Sequence, residues 1–276
     1  MSSESFSSTL RRLFRLENRR ATVRPGRIER IPHVSTTFDG SRDLTVYVPP
    51  GYDERDGRRY PVLYMHDGQN LFEPERAFIP GQHWRLSEAA DEAIAARTAS
   101  PMIIVGIDNG GVARGDEYTP VRDPKYNAGG RAGDHARMLL EEIKPLIDER
   151  FRTEPEKNGV GGSSLGGLLA LHLVLRHSDV FDRAAVMSPS IWWADRAILR
   201  EIDDYDRRAR PRIWLDVGGR EGVETLRNTR LVHERLLARG WTSRTLGYHE
   251  DRRGDHSERA WARRARPMLE FLFPPA

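Results

Sequence analysis

The chain of 276 residues is 38% hydrophobic and 31% charged, a balance typical of a globular protein long enough to bury a sizeable core. Its formal net charge of +3 is too small to indicate a nucleic-acid binder, and the absence of cysteine excludes disulfides, a thiol nucleophile and thiolate metal sites. The sequence contains no apolar run long enough for a secretory signal or a membrane span, which predicts a cytoplasmic protein without nucleic-acid or membrane partners.

The first 30 residues are predicted to form an N-terminal arm or helix, because the apolar residues from Leu10 to Leu16 fall near one helical face. Residues 31–276 are predicted to form a single domain, since no repeat, low-complexity tract or second boundary interrupts them. The sequence gives no indication of the oligomeric state.

Apolar runs alternate with amphipathic stretches along the rest of the chain. Several runs are continuously aliphatic or β-branched, as in strands that are covered on both faces of a sheet. Strands that alternate with helices predict an α/β fold, with an open, mostly parallel sheet and helices on both faces. The predicted strands are Leu44–Val48, Val62–Met65, Met102–Ile107, Ala184–Met187 and Ile213–Val217, with a weaker one before Gly161. The predicted helices are Trp84–Arg97, Asp134–Arg150, Leu165–Arg176, Ile191–Tyr205, Val223–Arg239 and Ser257–Phe273.

Two stretches lack this regular pattern. The segment Gly110–Gly133 is long and poorly periodic, and a loop of that length is usually functional, so we expect it to overhang the active site. Near the C-terminus, Arg263, Arg264 and Arg266 are interleaved with apolar residues, as on an exposed helix face. We expect these arginines to form solvated salt bridges rather than a phosphate-binding patch.

The segment from Gly162 to Gly166 has the pattern G-x-S-x-G, with Ser164 at its centre. In a nucleophile elbow the serine occupies a sharp strand-to-helix turn, where flanking side chains would collide, so glycine is required on both sides. An apolar helical run follows directly, as this turn requires. Ser164 is therefore the predicted nucleophile. The alternative, Ser163, has Gly161 two residues before it but Leu165 two residues after it.

A serine hydrolase of this type carries its acid and then its base downstream of the nucleophile. Of the late histidines, His256 lies in a loop before the last predicted helix and is the predicted base. His249 lies within the strand-like Thr245–His249 and is the alternative. Asp255 and Glu258 have capping-box spacing, so His256 could also be only a first-turn residue.

Two carboxylates follow one strand and are candidates for the orienting acid. Asp216 lies within the apolar run itself, whereas Glu221 follows in a glycine-rich loop. The acid has to project past the strand end to reach the imidazole N–H. Glu221 is therefore preferred and Asp216 is the alternative.

Stabilisation of the oxyanion requires two N–H donors. One is predicted to be the backbone N–H of Leu165, directly after the nucleophile, and the other the N–H of Gln69, after the strand Tyr60–Met65. Gly68 would let the chain turn sharply at that point.

Several segments together resemble the putative-esterase family of α/β-hydrolases, which includes siderophore, feruloyl and acetylxylan esterases and mycolyltransferases. The resemblance implies an α/β-hydrolase fold, Ser164 as nucleophile, His256 as base and a carboxylate in the loop 218–221. Ser257 stands where relatives often have asparagine. The matching segments are Tyr60–Phe72, Val105–Asn109, Arg114 with Glu117–Pro120, the elbow, Ser188–Trp193, and His256–Glu258 with Trp261.

The predicted function is therefore a serine esterase that hydrolyses a small-molecule ester and needs no metal or organic cofactor. Arg114 is predicted to bind an anionic or catecholate group, or else to pair with Glu117. Trp193, or its neighbour Trp192, is predicted to stack on the substrate, with one of the two in the core. The substrate could be a siderophore lactone or an acylated sugar. The alternatives are an acyltransferase with the same triad and a catalytically silent binding protein on this scaffold.

Overall fold

A computed structural model describes residues 25–54 and 57–275. Eight of its strands form one sheet in the order β1-β2-β4-β3-β7-β8-β9-β10, and β5 and β6 form a separate two-stranded sheet. The strands are β1 (Arg27–Ile31), β2 (Leu44–Val48), β3 (Tyr60–His66), β4 (Ile103–Ile107), β5 (Arg122–Asp123), β6 (Ala128–Gly129), β7 (Thr153–Ser163), β8 (Phe181–Met187), β9 (Arg212–Gly218) and β10 (Leu246–Asp251).

The direction of the strands decides where loops converge. β2 is antiparallel to β1 and β4, whereas β4, β3, β7, β8, β9 and β10 are all parallel. The carboxyl ends of these six strands therefore share one edge of the sheet, where ligand sites of open α/β sheets form.

Helices cover both faces of the sheet. The larger core packs under α3 to α7, and the second core packs under α1 and α8. The helices are α1 (Leu86–Ala95), α2 (Arg114–Glu117), α3 (Ala132–Arg137), α4 (Lys144–Arg150), α5 (Leu165–Arg176), α6 (Ile198–Asp203), α7 (Val223–Ala238) and α8 (Glu258–Leu272). The predicted open, mostly parallel sheet with helices on both faces is confirmed.

The strand side chains alternate between these two cores, as the pleat requires. In β3, Val62 and Tyr64 belong to the larger core, while Leu63 and Met65 belong to the second one. Both sets are fully buried, which explains why the strand reads as a continuous apolar run rather than as an alternating pattern.

Two predicted helices differ from those observed. The stretch predicted as Asp134–Arg150 contains a π-helical segment, Met138–Ile143, between α3 and α4. The prediction of one helix over Ile191–Tyr205 is wrong, because Trp193–Arg196 is a short 3-10 segment whose last three residues have positive φ. Left-handed backbone cannot continue an α-helix, so only the second half of the predicted stretch is helical.

The N-terminal predictions lie largely outside the described residues, including the helical face from Leu10 to Leu16. The strand β1 begins at Arg27 and pairs with β2, so the end of the predicted arm of residues 1–30 is part of the sheet. Within residues 25–54 and 57–275, no helix is long and apolar enough to cross a membrane.

The expectation that Arg264 lies on an exposed helix face is wrong. Its side chain is 2% exposed, whereas those of Arg263 and Arg266 are 49% and 40% exposed. Interleaving with apolar residues does not reveal which arginine of α8 faces the sheet. Arg264 does, and it contacts carboxylates there.

Candidate active site

Ser164 occupies the sharp turn between β7 and α5. Its backbone has φ 58° and ψ −122°, a conformation that is costly for any residue except glycine. Ser163 instead belongs to regular β7, where it pairs with Met187 of β8. The strained turn of a nucleophile elbow therefore falls on Ser164 and not on the alternative serine.

The glycines of this turn are required by close backbone contacts. A Cβ on Gly162 would lie 2.8 Å from the carbonyl carbon of Gly166. A Cβ on Gly166 would lie 3.2 Å from Asp67 Oδ2, so the first turn of α5 packs directly against the loop after β3. This contact brings the two predicted oxyanion donors to the same region of the sheet edge.

The loop after β3 turns sharply into a 3-10 segment, Gly68–Asn70. A Cβ on Gly68 would lie 2.5 Å from the Gly106 backbone, so only glycine allows the loop to approach β4 this closely. The first hydrogen bond of the turn runs from Asn70 N to Asp67 O, which leaves the Gln69 N–H free of the turn. The Leu165 N–H is likewise free of helical bonding, as the first residue of α5.

Glu221 is in hydrogen-bond contact with His256. The distance from His256 Nδ1 to Glu221 Oε2 is 2.8 Å, although the two residues are 35 positions apart in the sequence. Glu221 is almost completely buried, whereas the side chain of His256 is 45% exposed. Of the two candidate carboxylates, Glu221 is the one that contacts the predicted base.

Asp216 lies deeper in the protein and contacts different groups. Its Oδ2 accepts a hydrogen bond from Trp214 Nε1 at 2.8 Å and its Oδ1 accepts one from the Ser188 N–H at 3.2 Å. Burial raises the pKa of Asp216 to about 6, with Arg264 opposing the rise. Burial acts on Glu221 in the same direction, but hydrogen bonds from His256, Ser188 and the Gly218 N–H outweigh it and lower the pKa of Glu221.

His256 lies just before α8 rather than in its first turn. The N-cap is Ser257, whose hydroxyl accepts a hydrogen bond from the Ala260 N–H, so the alternative interpretation, a capping box of Asp255 and Glu258, is wrong. The ring of His256 packs edge-on against Trp261, with centroids 5.0 Å apart. His249, the alternative base, is exposed on β10 and stacks on Trp214.

The hydroxyl of Ser164 contacts a second serine. Ser164 Oγ and Ser190 Oγ are 3.2 Å apart, and Ser190 N donates a hydrogen bond to Ser164 O. The described residues contain no hydrogen bond between Ser164 and His256. Hydrogen bonds between nucleophile and base are often long in the absence of substrate and tighten when it binds.

A cavity of about 300 Å³ opens beside the elbow. Arg114 lies in its wall, but its guanidinium is bound to Asp67, with Nε to Oδ1 at 2.6 Å and Nη2 to Oδ2 at 2.7 Å. The alternative prediction, that Arg114 pairs with Glu117, is wrong, because Glu117 pairs with Arg42 instead. The cavity is lined by Asp67, Gln69, Asn70, Phe78, Asn109, Gly111, Arg114, Ser163, Glu258 and Trp261. Gly111 and Arg114 belong to the stretch 110–133 that was expected to overhang the site.

Trp193 does not line this cavity. It is 6% exposed, donates a hydrogen bond from Nε1 to Val121 O at 2.7 Å and stacks on Tyr126. Trp192 is 44% exposed beside it. The structure therefore places Trp193 as the buried member of the pair.

Three residues at this site, Ser188, Ser190 and Arg264, are not among the site residues that the sequence predicts. Ser188 and Arg264 contact Glu221, and Ser190 contacts Ser164. Two sequence signals mark the two serines. They lie directly after a predicted strand, at the edge where the other site residues gather, and they belong to the family-like segment Ser188–Trp193. Arg264 gives no such signal, since it reads as one of several arginines on a helix.

The chain is similar to several known proteins. A family model described as Putative esterase matches residues 35–272. An uncharacterized protein, YbbA, from Bacillus subtilis is 26% identical over 248 residues, which cover 85% of this chain and 93% of that protein. The siderophore triacetylfusarinine C esterase of Aspergillus fumigatus is 31% identical over 164 residues. That alignment covers 55% of this chain and 52% of the relative, so the match spans about half of each protein.

A solved structure has the same fold. The BES protein from Bacillus cereus superimposes with a TM-score of 0.75 and 23% identity, over 89% of this chain and 94% of that one. At this level of identity the likeness concerns the fold alone, and it confirms the predicted α/β-hydrolase fold.

Proposed function

This chain belongs to the putative esterase family and is a carboxylic ester hydrolase, and from that premise we propose that Ser164, His256 and Glu221 form its catalytic triad. The observation that carries the proposal is the 2.8 Å contact between Glu221 Oε2 and His256 Nδ1, at the same sheet edge as the strained elbow. A carboxylate, an imidazole and a serine on a strand-to-helix turn are the parts of a serine hydrolase.

In the first half of the reaction, Ser164 Oγ attacks the ester carbonyl carbon and its proton passes to His256 Nε2. The carbonyl oxygen becomes an oxyanion, which accepts hydrogen bonds from the N–H groups of Leu165 and Gln69. The bond to the alcohol oxygen then breaks, and His256 returns the proton to that oxygen. The alcohol leaves and the acyl group remains on Ser164.

In the second half, water attacks the acyl carbon and gives a proton to His256. The bond to Ser164 Oγ breaks, the serine recovers the proton from His256, and the carboxylic acid is released. Glu221 remains ionised in both halves and stabilises the imidazolium that forms twice. The lowered pKa of Glu221 suits this role, because a neutral acid would no longer attract the proton on Nδ1.

The first substrate class we propose is a siderophore lactone. The support is the 31% identity to a relative named as a siderophore triacetylfusarinine C esterase. The rival class is an acylated sugar. Initial rates on a cyclic siderophore trilactone, an acetylated or feruloylated sugar and a p-nitrophenyl ester would rank the two classes, and a preference for the sugar ester would overturn this assignment.

We expect a fluorophosphonate probe to label the protein on Ser164. In Ser164→Ala, labelling should disappear and kcat for ester hydrolysis should fall by about 10⁴-fold or more, because no nucleophile remains to form the acyl-enzyme. The measurement is mass spectrometry of the labelled peptide together with steady-state kinetics.

In Glu221→Gln, kcat should fall by up to about 10⁴-fold, since the amide favours the wrong tautomer of His256.

Ser163→Ala is the matched control for the nucleophile, because it removes the neighbouring hydroxyl. It should still be labelled on Ser164. Labelling on Ser163 in the wild-type protein, or equal labelling of Ser164→Ala, would refute the proposed triad.

A further inference from the structure

Ser188 is a buried junction between the proposed acid and the last helix. Its Oγ lies 2.5 Å from Glu221 Oε1, 3.0 Å from Trp261 Nε1 and 2.9 Å from Arg264 Nη2. Ser188 itself has no solvent exposure and follows β8 with φ 42°, which turns it out of the strand.

The chemistry of these three partners fixes the direction of the Ser188 hydroxyl. The indole N–H of Trp261 and the guanidinium of Arg264 are donors only, so each must donate to Ser188 Oγ. A hydroxyl has two lone pairs and one proton, and both lone pairs are then occupied. The single remaining proton points to Glu221 Oε1, the only acceptor among these three partners.

This direction determines which oxygen of Glu221 faces the histidine. Oε1 accepts hydrogen bonds from Ser188 Oγ at 2.5 Å and from the Gly218 N–H at 2.7 Å, and Arg264 Nη2 lies 3.8 Å away. Oε2 is left for His256 Nδ1. An ionised carboxylate only accepts hydrogen bonds, so Nδ1 carries the proton and Nε2 keeps the lone pair that a general base needs.

Arg264 is itself held by the second buried carboxylate. Its Nε lies 3.4 Å from Asp216 Oδ1, and both side chains are almost completely buried. Asp216 also accepts a hydrogen bond from the Ser188 N–H, so Asp216 holds the backbone of Ser188 while Arg264 holds its side chain. A buried guanidinium is costly to place, and the removal of one partner of a buried ion pair leaves the other charge uncompensated.

We propose that Ser188 and Arg264 are positioning residues, which act through Glu221 to hold His256 in the tautomer protonated on Nδ1. This inference rests on the proposed triad, because the two residues would act only through Glu221 and would not contact the substrate. Neither residue lies in the wall of the cavity beside the elbow. Their removal should therefore lower kcat and leave KM nearly unchanged.

The test compares Ser188→Ala and Ser188→Gly with the wild-type protein. Both variants lack the hydroxyl, and glycine also tolerates the positive φ, so a loss common to both belongs to the hydroxyl and not to the backbone. We expect kcat to fall by about 10²-fold, as for a small misplacement of a catalytic group, with KM within about twofold of the wild-type value. In the proton NMR spectrum, the downfield resonance of the His256 Nδ1 proton should weaken or disappear.

Arg264→Lys and Arg266→Met complete the set. A lysine in place of Arg264 would keep the charge but lose the planar fork, so Arg264→Lys should retain a fraction of the wild-type kcat above that of the Ser188 variants. Arg266→Met removes an exposed arginine of the same helix, which pairs with Glu270, and should leave kcat and the downfield proton unchanged.

The possible outcomes separate this inference from the triad itself. If the Ser188 variants keep the wild-type kcat and the downfield proton while Ser164→Ala and Glu221→Gln are inactive, the inference is overturned and the triad stands. If Ser164→Ala remains active, the proposed function fails first. A fall in kcat with loss of the Nδ1 proton in both Ser188 variants, at unchanged melting temperature, supports the inference.

Discussion

At the scale of single residues, the two buried carboxylates at the end of β9 have opposite pKa shifts. The pKa of Asp216 is raised to about 6 by burial, against the opposing effect of Arg264, while hydrogen bonds lower the pKa of Glu221 in spite of burial. The difference follows from the hydrogen bonds, because Glu221 accepts from His256, Ser188 and the Gly218 N–H, and these three bonds outweigh the effect of burial. Environments that separate the pKa values of neighbouring acids also separate their roles.

The raised pKa of Asp216 predicts a pH dependence of stability. A carboxyl that is protonated more readily in the folded state stabilises the fold below its unfolded pKa, near 3.8, and loses this contribution as the pH rises through about 6. The free energy of unfolding of the wild type, relative to that of Asp216→Asn, should therefore decrease between pH 4 and pH 6 and remain constant above that. Urea denaturation of both proteins at pH 4, 5, 6 and 7 measures this difference, and an increase over the same range would contradict the shift.

At the scale of elements, the π-helical segment between α3 and α4 anchors the segment 33–37 through hydrogen bonds to one carboxylate. Glu142 lies in this segment, and its carboxylate accepts hydrogen bonds from Thr37 Oγ1 at 2.6 Å and Thr36 Oγ1 at 2.8 Å, with His33 Nε2 at 3.1 Å. Burial alone would raise the pKa of Glu142, but the hydrogen bonds from Thr37 and Thr36 lower it to about 2. The carboxylate therefore ties residues 33–37 to the helix.

Glu142→Gln should lower the free energy of unfolding by about 1.5–3 kcal/mol at pH 7, the range for hydrogen bonds to a charged group. Because the folded pKa is depressed, the stabilisation is fully present above the unfolded value of 4.5 and is lost as the pH falls through about 2. The difference between the wild type and the variant should therefore shrink below pH 4.5. Chemical denaturation between pH 2.5 and pH 7 tests this, with the exposed neighbour in Glu141→Gln as control. A difference independent of pH would contradict the assignment.

The elements also differ in how far their bounds could be predicted. β2 and α5 begin and end at the predicted residues, because each is a dense apolar run with clear breaks on both sides. The sequence predicts helix after Trp192, where the backbone is left-handed. Glycine is the usual sequence signal of left-handed backbone, and the residues at this turn are not glycine. The π-helical segment keeps the same apolar residues as an α-helix and changes only their phase, so periodicity could not reveal it.

At the scale of the whole molecule, the proposed site and the core residue Trp241 lie at opposite ends of β9. Glu221 follows the carboxyl end of β9, whereas Trp241 packs near its amino end and donates a hydrogen bond from Nε1 to Pro211 O at 2.9 Å. Trp241 is 2% exposed, and its ring centroid lies 5.0 Å from that of Tyr205. Packing at this end supports the sheet without touching the proposed triad.

Trp241→Ala should therefore lower the free energy of unfolding by about 3–5 kcal/mol, the cost of a large cavity in a packed core. The kcat of the folded fraction should be unchanged, because the site lies at the other sheet edge. Thermal unfolding and kinetics well below the melting temperature measure the two effects. Trp192→Ala is the matched control for stability, since that indole is 44% exposed and its loss should cost less than about 1 kcal/mol. A loss of kcat in Trp241→Ala at full folding would show that the two ends are coupled.

The sequence by itself determined what depends on neighbours along the chain. The apolar runs specify the strands and most helices, their alternation specifies the parallel sheet, and the glycines around Ser164 specify a sharp turn after a strand. The order of the residues along the chain also limited the acid and the base to Asp216 or Glu221 and His249 or His256.

Only the tertiary structure decided which side chains meet. Glu221 contacts His256 because β9 and β10 are neighbours in the sheet, so the loops that follow them lie side by side. Arg114 pairs with Asp67, Trp193 is buried, and Arg264 faces two carboxylates rather than solvent. These contacts join residues far apart in sequence. They depend on strand order and on the face that each helix presents, and a local pattern of polar and apolar residues does not contain that information.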